Sequence, residues 1–168
     1  MKRFALAALM LLAVCVHDAT AATILGRVVG VSDGDTVTVL TAEHRQFKIR
    51  LSGIDAPEKK QAFGAFAKET LARQLFGQTV TVEWSKTDRY GRIVGKIAIN
   101  GADANLEQVR EGSAWVYTQY LRELPLEDRR LYLEAERLAQ HERRGLWRDD
   151  DPEPPWQWRR ERRRPKNG

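Results

Sequence analysis

Across much of its length the chain places an apolar residue at every second position, and a two-residue period commits a segment to a half-buried β-strand. Val37 and Val39 alternate with Thr36 and Thr38, and Phe47, Ile49 and Leu51 with Lys48, Arg50 and Ser52. Val80, Val82 and Trp84 repeat the pattern. Thr23 to Leu40 reads as two strands around a turn at Ser32-Asp33-Gly34, and Arg92 to Ile99 as a fifth strand ending at Asn100-Gly101. Side chains alternate across a strand, so with Phe47, Ile49 and Leu51 facing a core, Arg50 stands on the wet face.

Helical spacing separates and follows the strands. Phe63, Phe66, Ala67, Leu71 and Leu75 fall on one helical face, with Gly77 as the stop. Asn105 to Glu111 is a short helix closed by Gly112. Leu126 to Arg144 is a longer one, predicted to turn Leu131, Ala135, Leu138 and Ala139 inward and to end at Gly145. Leu146 and Trp147 then fold back as an apolar plug. Five strands interleaved with helices, with long antiparallel connections, suggest a small β-barrel of the OB type with helical additions, although alternation alone would also permit an α+β sandwich.

The two ends differ in composition from this middle. Lys2 and Arg3 precede a nearly unbroken apolar run from Phe4 to Val16, and Ala19-Thr20-Ala21 supplies a small-x-small cleavage signal. The run falls short of the ~20 residues a membrane span needs, so residues 1–21 read as a secretory signal peptide and the protein as secreted or periplasmic. A lipoprotein signal at Leu12-Ala13-Val14-Cys15 is a poorer match, because Val14 is a poor residue just before a lipidated cysteine. At the other end, residues 148–168 carry Asp149-Asp150-Asp151, several prolines and a run of arginines. Low apolar content and clustered like charges predict a linker and a basic, disordered tail. Such a tail is either an electrostatic tether for nucleic acid or a solvated end, and Trp156 and Trp158 either stack on bases or dock on the domain. The domain between is 22–147.

Charge and residue usage remove several chemistries. The formal net charge is +5, of which the signal segment carries a net +1 from Lys2 and Arg3 against Asp18. A basic protein with a sequence pI near 9.6 suits a polyanionic partner. Cys15 is the single cysteine and lies in the signal segment, so the mature chain offers neither a disulfide nor a thiolate nucleophile. His44 lies in a polar turn and His141 late in a helix, unpaired in sequence, which argues against histidine-ligated zinc and two-histidine hydrolysis. Neither a Gly-x-Ser-x-Gly elbow nor a Walker-type phosphate loop is present. Hydrolysis by this chain must rest on carboxylates, arginines and a hard cation.

Three fragments supply those groups. Asp33-Gly34-Asp35 sets two carboxylates at the mouth of a strand. In Asp55-Ala56-Pro57-Glu58 the proline pushes Ala56 toward extended geometry, which can turn a backbone carbonyl toward a cation. Asp88-Arg89-Tyr90-Gly91-Arg92 is a charged hairpin loop. Each alone also reads as an ordinary turn.

Taken in order, Asp33-Gly34-Asp35-Thr36, Arg50-Leu51 with Asp55-Ala56-Pro57-Glu58, and Asp88-Arg89-Tyr90-Gly91-Arg92 resemble the thermonuclease (staphylococcal-nuclease-like) family in a secreted bacterial form. Leu106, Val109, Gly112 and Gly145-Leu146-Trp147 fit as well, so the resemblance runs from Ile24 to Trp147. It implies an α+β fold, a five-stranded OB-fold β-barrel with three helices, that hydrolyses DNA and RNA with Ca²⁺, with little sequence preference, and leaves 3′-phosphate ends. By motif position, Asp35, Asp55 and the Ala56 carbonyl would ligate the ion, with Asp33 supporting them. Glu58 would position or deprotonate the attacking water. Arg50 and Arg92 would grip the phosphate, while Arg89, Tyr90 and Tyr120 would contact the nucleotide. Ala56 departs from the threonine of the best-known member, the loop from Glu58 to Gly64 is shorter, and Thr118 replaces one of two later tyrosines, leaving Tyr117 or Trp115 as substitutes for stacking. For Trp115 a core position is favoured. The sequence implies no stable protein partner, and a monomer is the default expectation. The alternative is a non-catalytic nucleic-acid-binding OB-fold module. The full set Asp35, Arg50, Asp55, Glu58 and Arg92 argues for the enzyme.

Overall fold

A computed structural model of the protein describes residues 22–163. The predicted signal segment lies outside the described residues. In chain order the elements are β1 (Ala22–Asp33), β2 (Thr36–Leu40), β3 (Gln46–Leu51), the short β4 (Ile54–Asp55), α1 (Gly64–Leu75), β5 (Thr79–Thr87), β6 (Ile93–Ile99), β7 (Ala102–Asp103), α2 (Ala104–Arg110), β8 (Trp115–Val116), α3 (Leu126–His141) and α4 (Pro155–Arg163). Two 3₁₀ turns, Thr118–Glu123 and Gly145–Arg148, flank α3.

β1 pairs antiparallel with β2 and β5, β2 with β3, and β5 with β6. A parallel pairing of β3 with β6 (Ile49 opposite Ile93) closes the ring. The result is a closed five-stranded barrel of mixed direction, the OB-type architecture expected from the resemblance. Closure settles the choice against an open sandwich. Val28, Val37, Val39, Ile49, Val82 and Ile97 are sealed inside the barrel at 0% exposure, which is the alternating pattern of the sequence realised.

The helices cover the barrel and fix the loops that carry the charged motifs. α1 buries Ala67, Leu71 and Leu75 as its spacing predicts, while Phe63 and Phe66 stay partly exposed and meet edge to face. α2 is capped by Asp103, whose side chain accepts the Leu106 amide at 3.0 Å. α3 corrects the predicted face at Leu138 alone. Tyr132, Ala135 and Ala139 point inward, whereas Leu138 is 40% exposed. Leu131 packs against the core as predicted, and polar contacts seat the helix beside it: the Tyr132 hydroxyl donates to Asp103 at 2.9 Å, and Asp128 accepts from Lys96 at 2.9 Å. Leu146 and Trp147 do fold back, Leu146 fully buried and Trp147 edge-on to Trp115 at 5.4 Å.

The C-terminal expectation is also corrected. Residues 155–163 form α4 rather than a disordered tail, lying over the β4–β8 end of the barrel. Pro155 begins α4 where a missing amide is harmless and is itself buried. The Trp156 ring stacks on Tyr117 at 5.6 Å and 5°, and meets Trp115 edge-on at 6.4 Å. Aromatic burial anchors a segment whose average composition is too polar to fold alone.

Candidate active site

Asp35 sits on the two-residue turn between β1 and β2, and Asp55 on β4, held by its pairing with Trp115 of β8. The turn approaches its neighbours so closely that a Cβ on Gly34 would lie 2.5 Å from that of Ala67 and 2.7 Å from that of Ala56. Only glycine lets the Asp35 turn reach both α1 and the Asp55 loop. Gln108 of α2, fully buried, clamps the same turn by donating to the Gly34 carbonyl at 2.7 Å and the Ala67 carbonyl at 3.2 Å. Across the loop, Asp35 Oδ2 accepts the Ala56 amide at 2.9 Å and Oδ1 accepts the Thr36 hydroxyl at 3.0 Å.

Arg50 ties the two carboxylates together. One nitrogen, Nη2, lies 3.1 Å from Asp35 Oδ2 and 2.9 Å from Asp55 Oδ1. Its other arm donates to the carbonyls of Leu51 at 2.7 Å and Ile54 at 2.9 Å. Asp35 and Asp55 are 6% and 1% exposed, so this is a buried anionic pair held by one guanidinium. Burial pushes the Asp55 carboxyl up, against the pull of Arg159 and Arg50. Asp33 accepts the Asp35 amide at 3.1 Å, and burial together with the neighbouring Asp35 charge pushes it up to about 6.

The remaining groups ring this pair. Glu58 belongs to a tight loop in which its amide donates to Gln61 Oε1 at 3.0 Å and the Gln61 amide donates back to its carbonyl at 2.8 Å. Arg92 on the β5–β6 hairpin is oriented by Asp88 through Nε at 2.7 Å and reaches toward Thr36. Arg89 and Arg92 lie 4.9 and 5.6 Å from the Tyr90 ring, which is 66% exposed. Tyr120 packs edge-on to Tyr117 at 4.9 Å, beside Lys86.

All the site residues named from the sequence therefore line one cleft of about 880 Å³. Trp115 is buried at 7% exposure, the core position favoured for it.

With this geometry in view, the comparisons decide the family. A family profile described as Staphylococcal nuclease homologue matches residues 48–149. The chain is 45% identical over 141 residues to an uncharacterized endonuclease of Escherichia coli, covering 82% of this chain and 86% of the relative. The chain belongs to the staphylococcal nuclease homologue family. Further members include an uncharacterized endonuclease of Haemophilus influenzae, 42% identical over 80% of this chain and 72% of the relative. A micrococcal nuclease of Shigella flexneri is 39% identical over 80% of each chain.

One residue of the cleft was not foreseen. Arg159 of α4 donates to Asp55 Oδ2 at 2.7 Å, Asp55 Oδ1 at 3.2 Å and Glu58 Oε1 at 2.8 Å. The staphylococcal-nuclease profile ends at residue 149, before α4. The signal was nonetheless present: a proline at a helix start, then Trp156, Arg159, Arg160 and Arg163 at three- and four-residue spacing, puts one aromatic and three arginines on one helical face. Gln108 and Gln61 were missed as well, because each also donates to a distant backbone carbonyl, Gln108 to that of Gly34 and Gln61 to that of Glu153, and such a clamp leaves no local pattern.

The donor set suits a hard cation. Among the described residues no group of three or more His, Cys, Asp or Glu gathers as a metal cage, and the donors that Asp35 and Asp55 offer are carboxylate oxygens. Oxygen donors of this kind fit a hard cation rather than zinc or another soft metal. Two guanidiniums already converge on Asp55, which shows that the pocket draws positive charge to that carboxylate.

Proposed function

We propose that this protein is a nuclease that hydrolyses phosphodiester bonds in DNA and RNA with little sequence preference, uses Ca²⁺, and leaves 3′-phosphate ends. The observation that carries the reading is the pairing of Asp35 and Asp55 on one Arg50 nitrogen, with Glu58 and Arg92 on the rim of the same cleft. Nuclease relatives across most of the chain support the reaction class.

Asp35, Asp55 and the Ala56 carbonyl would hold the ion. When bound, it would supply positive charge to the scissile phosphate and to an attacking water. The chain's own groups do the rest. Glu58, at the wet edge of the cluster, positions a water or takes its proton as the water oxygen bonds to phosphorus. The 5′-side P–O bond breaks, the phosphate stays on the 3′ oxygen, and the released 5′ oxygen takes a proton from solvent to leave as a 5′-hydroxyl. Arg50 and Arg92 present planar donor forks to the phosphate oxygens, which gain charge as the five-coordinate state forms. Tyr90, Arg89 and Tyr120 line the same cleft and would seat the flanking nucleotides. The N-terminal segment supports export to the periplasm or medium.

Incubating the mature chain with plasmid and with RNA, in Ca²⁺ or in chelator, tests this reading. Cation-dependent degradation of both is expected, and none would refute it. Glu58→Gln and Arg92→Ala should each slow cleavage by ~10²–10³-fold, the usual loss for one transition-state group, with unchanged thermal unfolding. Wild-type turnover by folded Arg92→Ala would remove Arg92 from the mechanism.

A further inference from the structure

The Arg159 guanidinium stands where the reaction needs other occupants. Asp55 is 1% exposed and accepts Arg50 on Oδ1 and Arg159 on both oxygens, so both of its oxygens are engaged while α4 is docked. Arg159 also holds Glu58 Oε1, an oxygen of the carboxylate assigned to the attacking water. The same helix lays Trp156 flat on Tyr117, covering a face of the aromatic pair that includes Tyr120. Docked α4 therefore covers the metal carboxylate, the water-handling carboxylate and an aromatic face together.

We propose that Arg159 is a built-in competitor of the divalent cation, and that α4 must leave the cleft for the cation to bind. The inference rests on the cation-dependent reading above. A guanidinium and a divalent ion on one buried carboxylate repel at a separation of a few ångströms, where water screens poorly. Removal of Arg159 leaves Asp35 and Asp55 sharing the single Arg50 charge, so the undocked cluster keeps a net negative charge that draws a cation while Arg50 still holds it together. The attachment suits release. α4 has nine residues, its carboxylate contacts come through the single side chain Arg159, and Pro155, the Trp156 contacts with Tyr117 and Trp115, and the Gln61 hydrogen bond to the Glu153 carbonyl just before it also hold it to the domain. A cation-binding state populated for only part of the time lowers apparent affinity by that fraction, and a rise in Ca²⁺ shifts the chain toward the open state.

Calorimetric Ca²⁺ titration of the full chain tests the competition without reference to cleavage. Arg159→Ala should bind Ca²⁺ about tenfold or more tightly than wild type, in proportion to the docked population removed. Trp156→Ala, which loosens α4 from its other end, should shift affinity in the same direction. Arg160→Ala removes the same charge from the same helix without touching the carboxylates, and should stay within about twofold, as a remote screened charge does. Saturating Ca²⁺ should also change wild-type tryptophan emission, and Trp156→Phe should abolish that change. Equal affinity in wild type and Arg159→Ala overturns the proposal and leaves the nuclease reading intact. So does an Arg160→Ala gain as large as that of Arg159→Ala, or emission that Ca²⁺ does not alter. Ca²⁺ binding by neither protein overturns the proposal and the cation requirement together, while metal-free cleavage would then separate the second failure from loss of the nuclease itself.

Discussion

Two arginines grip Asp55 at nearly the same distance, 2.9 Å for Arg50 and 2.7 Å for Arg159, yet they belong to different kinds of structure. Arg50 grows from a barrel strand, its side chain is 13% exposed, and two backbone carbonyls fix its other arm. Arg159 grows from a nine-residue terminal helix, its side chain is 30% exposed, and its contacts are all to carboxylates. A short ion pair says little about permanence. What distinguishes a fixture from a removable contact is how many other bonds hold the charge in place.

The comparison breaks most sharply on alanine at each position. Arg50→Ala leaves buried Asp35 without its cationic partner and Asp55 with Arg159 alone, and takes a donor from the Leu51 and Ile54 carbonyls. Removing one partner from a buried pair costs about 3–5 kcal/mol, so this variant should lose that much in urea unfolding along with its cleavage. Arg159→Ala removes a partly exposed partner from a carboxylate that keeps Arg50, and should cost about 1 kcal/mol or less. Similar losses at the two sites would mean that α4 is as integral as a barrel strand.

A smaller effect probes why the Arg50 side is rigid. Gln108 reaches across from α2 to the Gly34 carbonyl at 2.7 Å, and that turn carries Asp35. Gln108→Leu keeps much of the volume but leaves a buried carbonyl without its donor, at about 1–3 kcal/mol. The turn should loosen, so Ca²⁺ affinity should fall even though no ligand is changed. Calorimetry on Gln108→Leu checks it. A fall in stability with affinity intact would mean that the turn is rigid without α2.

These two halves were unequally legible in the sequence. The barrel strands follow a two-residue alternation, which each strand carries within itself, and the order of the motifs alone singles out Asp35, Arg50, Asp55, Glu58 and Arg92. The α3 face was read from leucines, while Tyr132 and Asp128 claim the interior through hydrogen bonds with residues 29 and 32 positions away. The composition of residues 148–168 suggested disorder, because an average over a segment conceals a single tryptophan that finds a tyrosine to stack on. Interactions between distant segments carry no local period, and Gln108 to Gly34, 74 residues apart, shows how far such a clamp can reach.

The smallest expected effect separates the residues within α4 itself. Arg160 and Arg163 line the cleft and are exposed, so their charge should act on a substrate backbone at a distance and be screened by salt. Replacing both with alanine should raise KM for DNA a few-fold at low ionic strength. For every phosphate that the arginines no longer neutralise, the plot of log affinity against log salt should flatten by about 0.9 for duplex DNA. Arg159→Ala should move Ca²⁺ affinity in the favourable direction, while the double variant weakens DNA binding, so neighbouring arginines on one helix would carry opposite signs. An unchanged salt slope in the double variant would confine the role of α4 to the Arg159 contact. A flattened slope with unchanged Ca²⁺ affinity in Arg159→Ala would instead make the helix a substrate arm and nothing more.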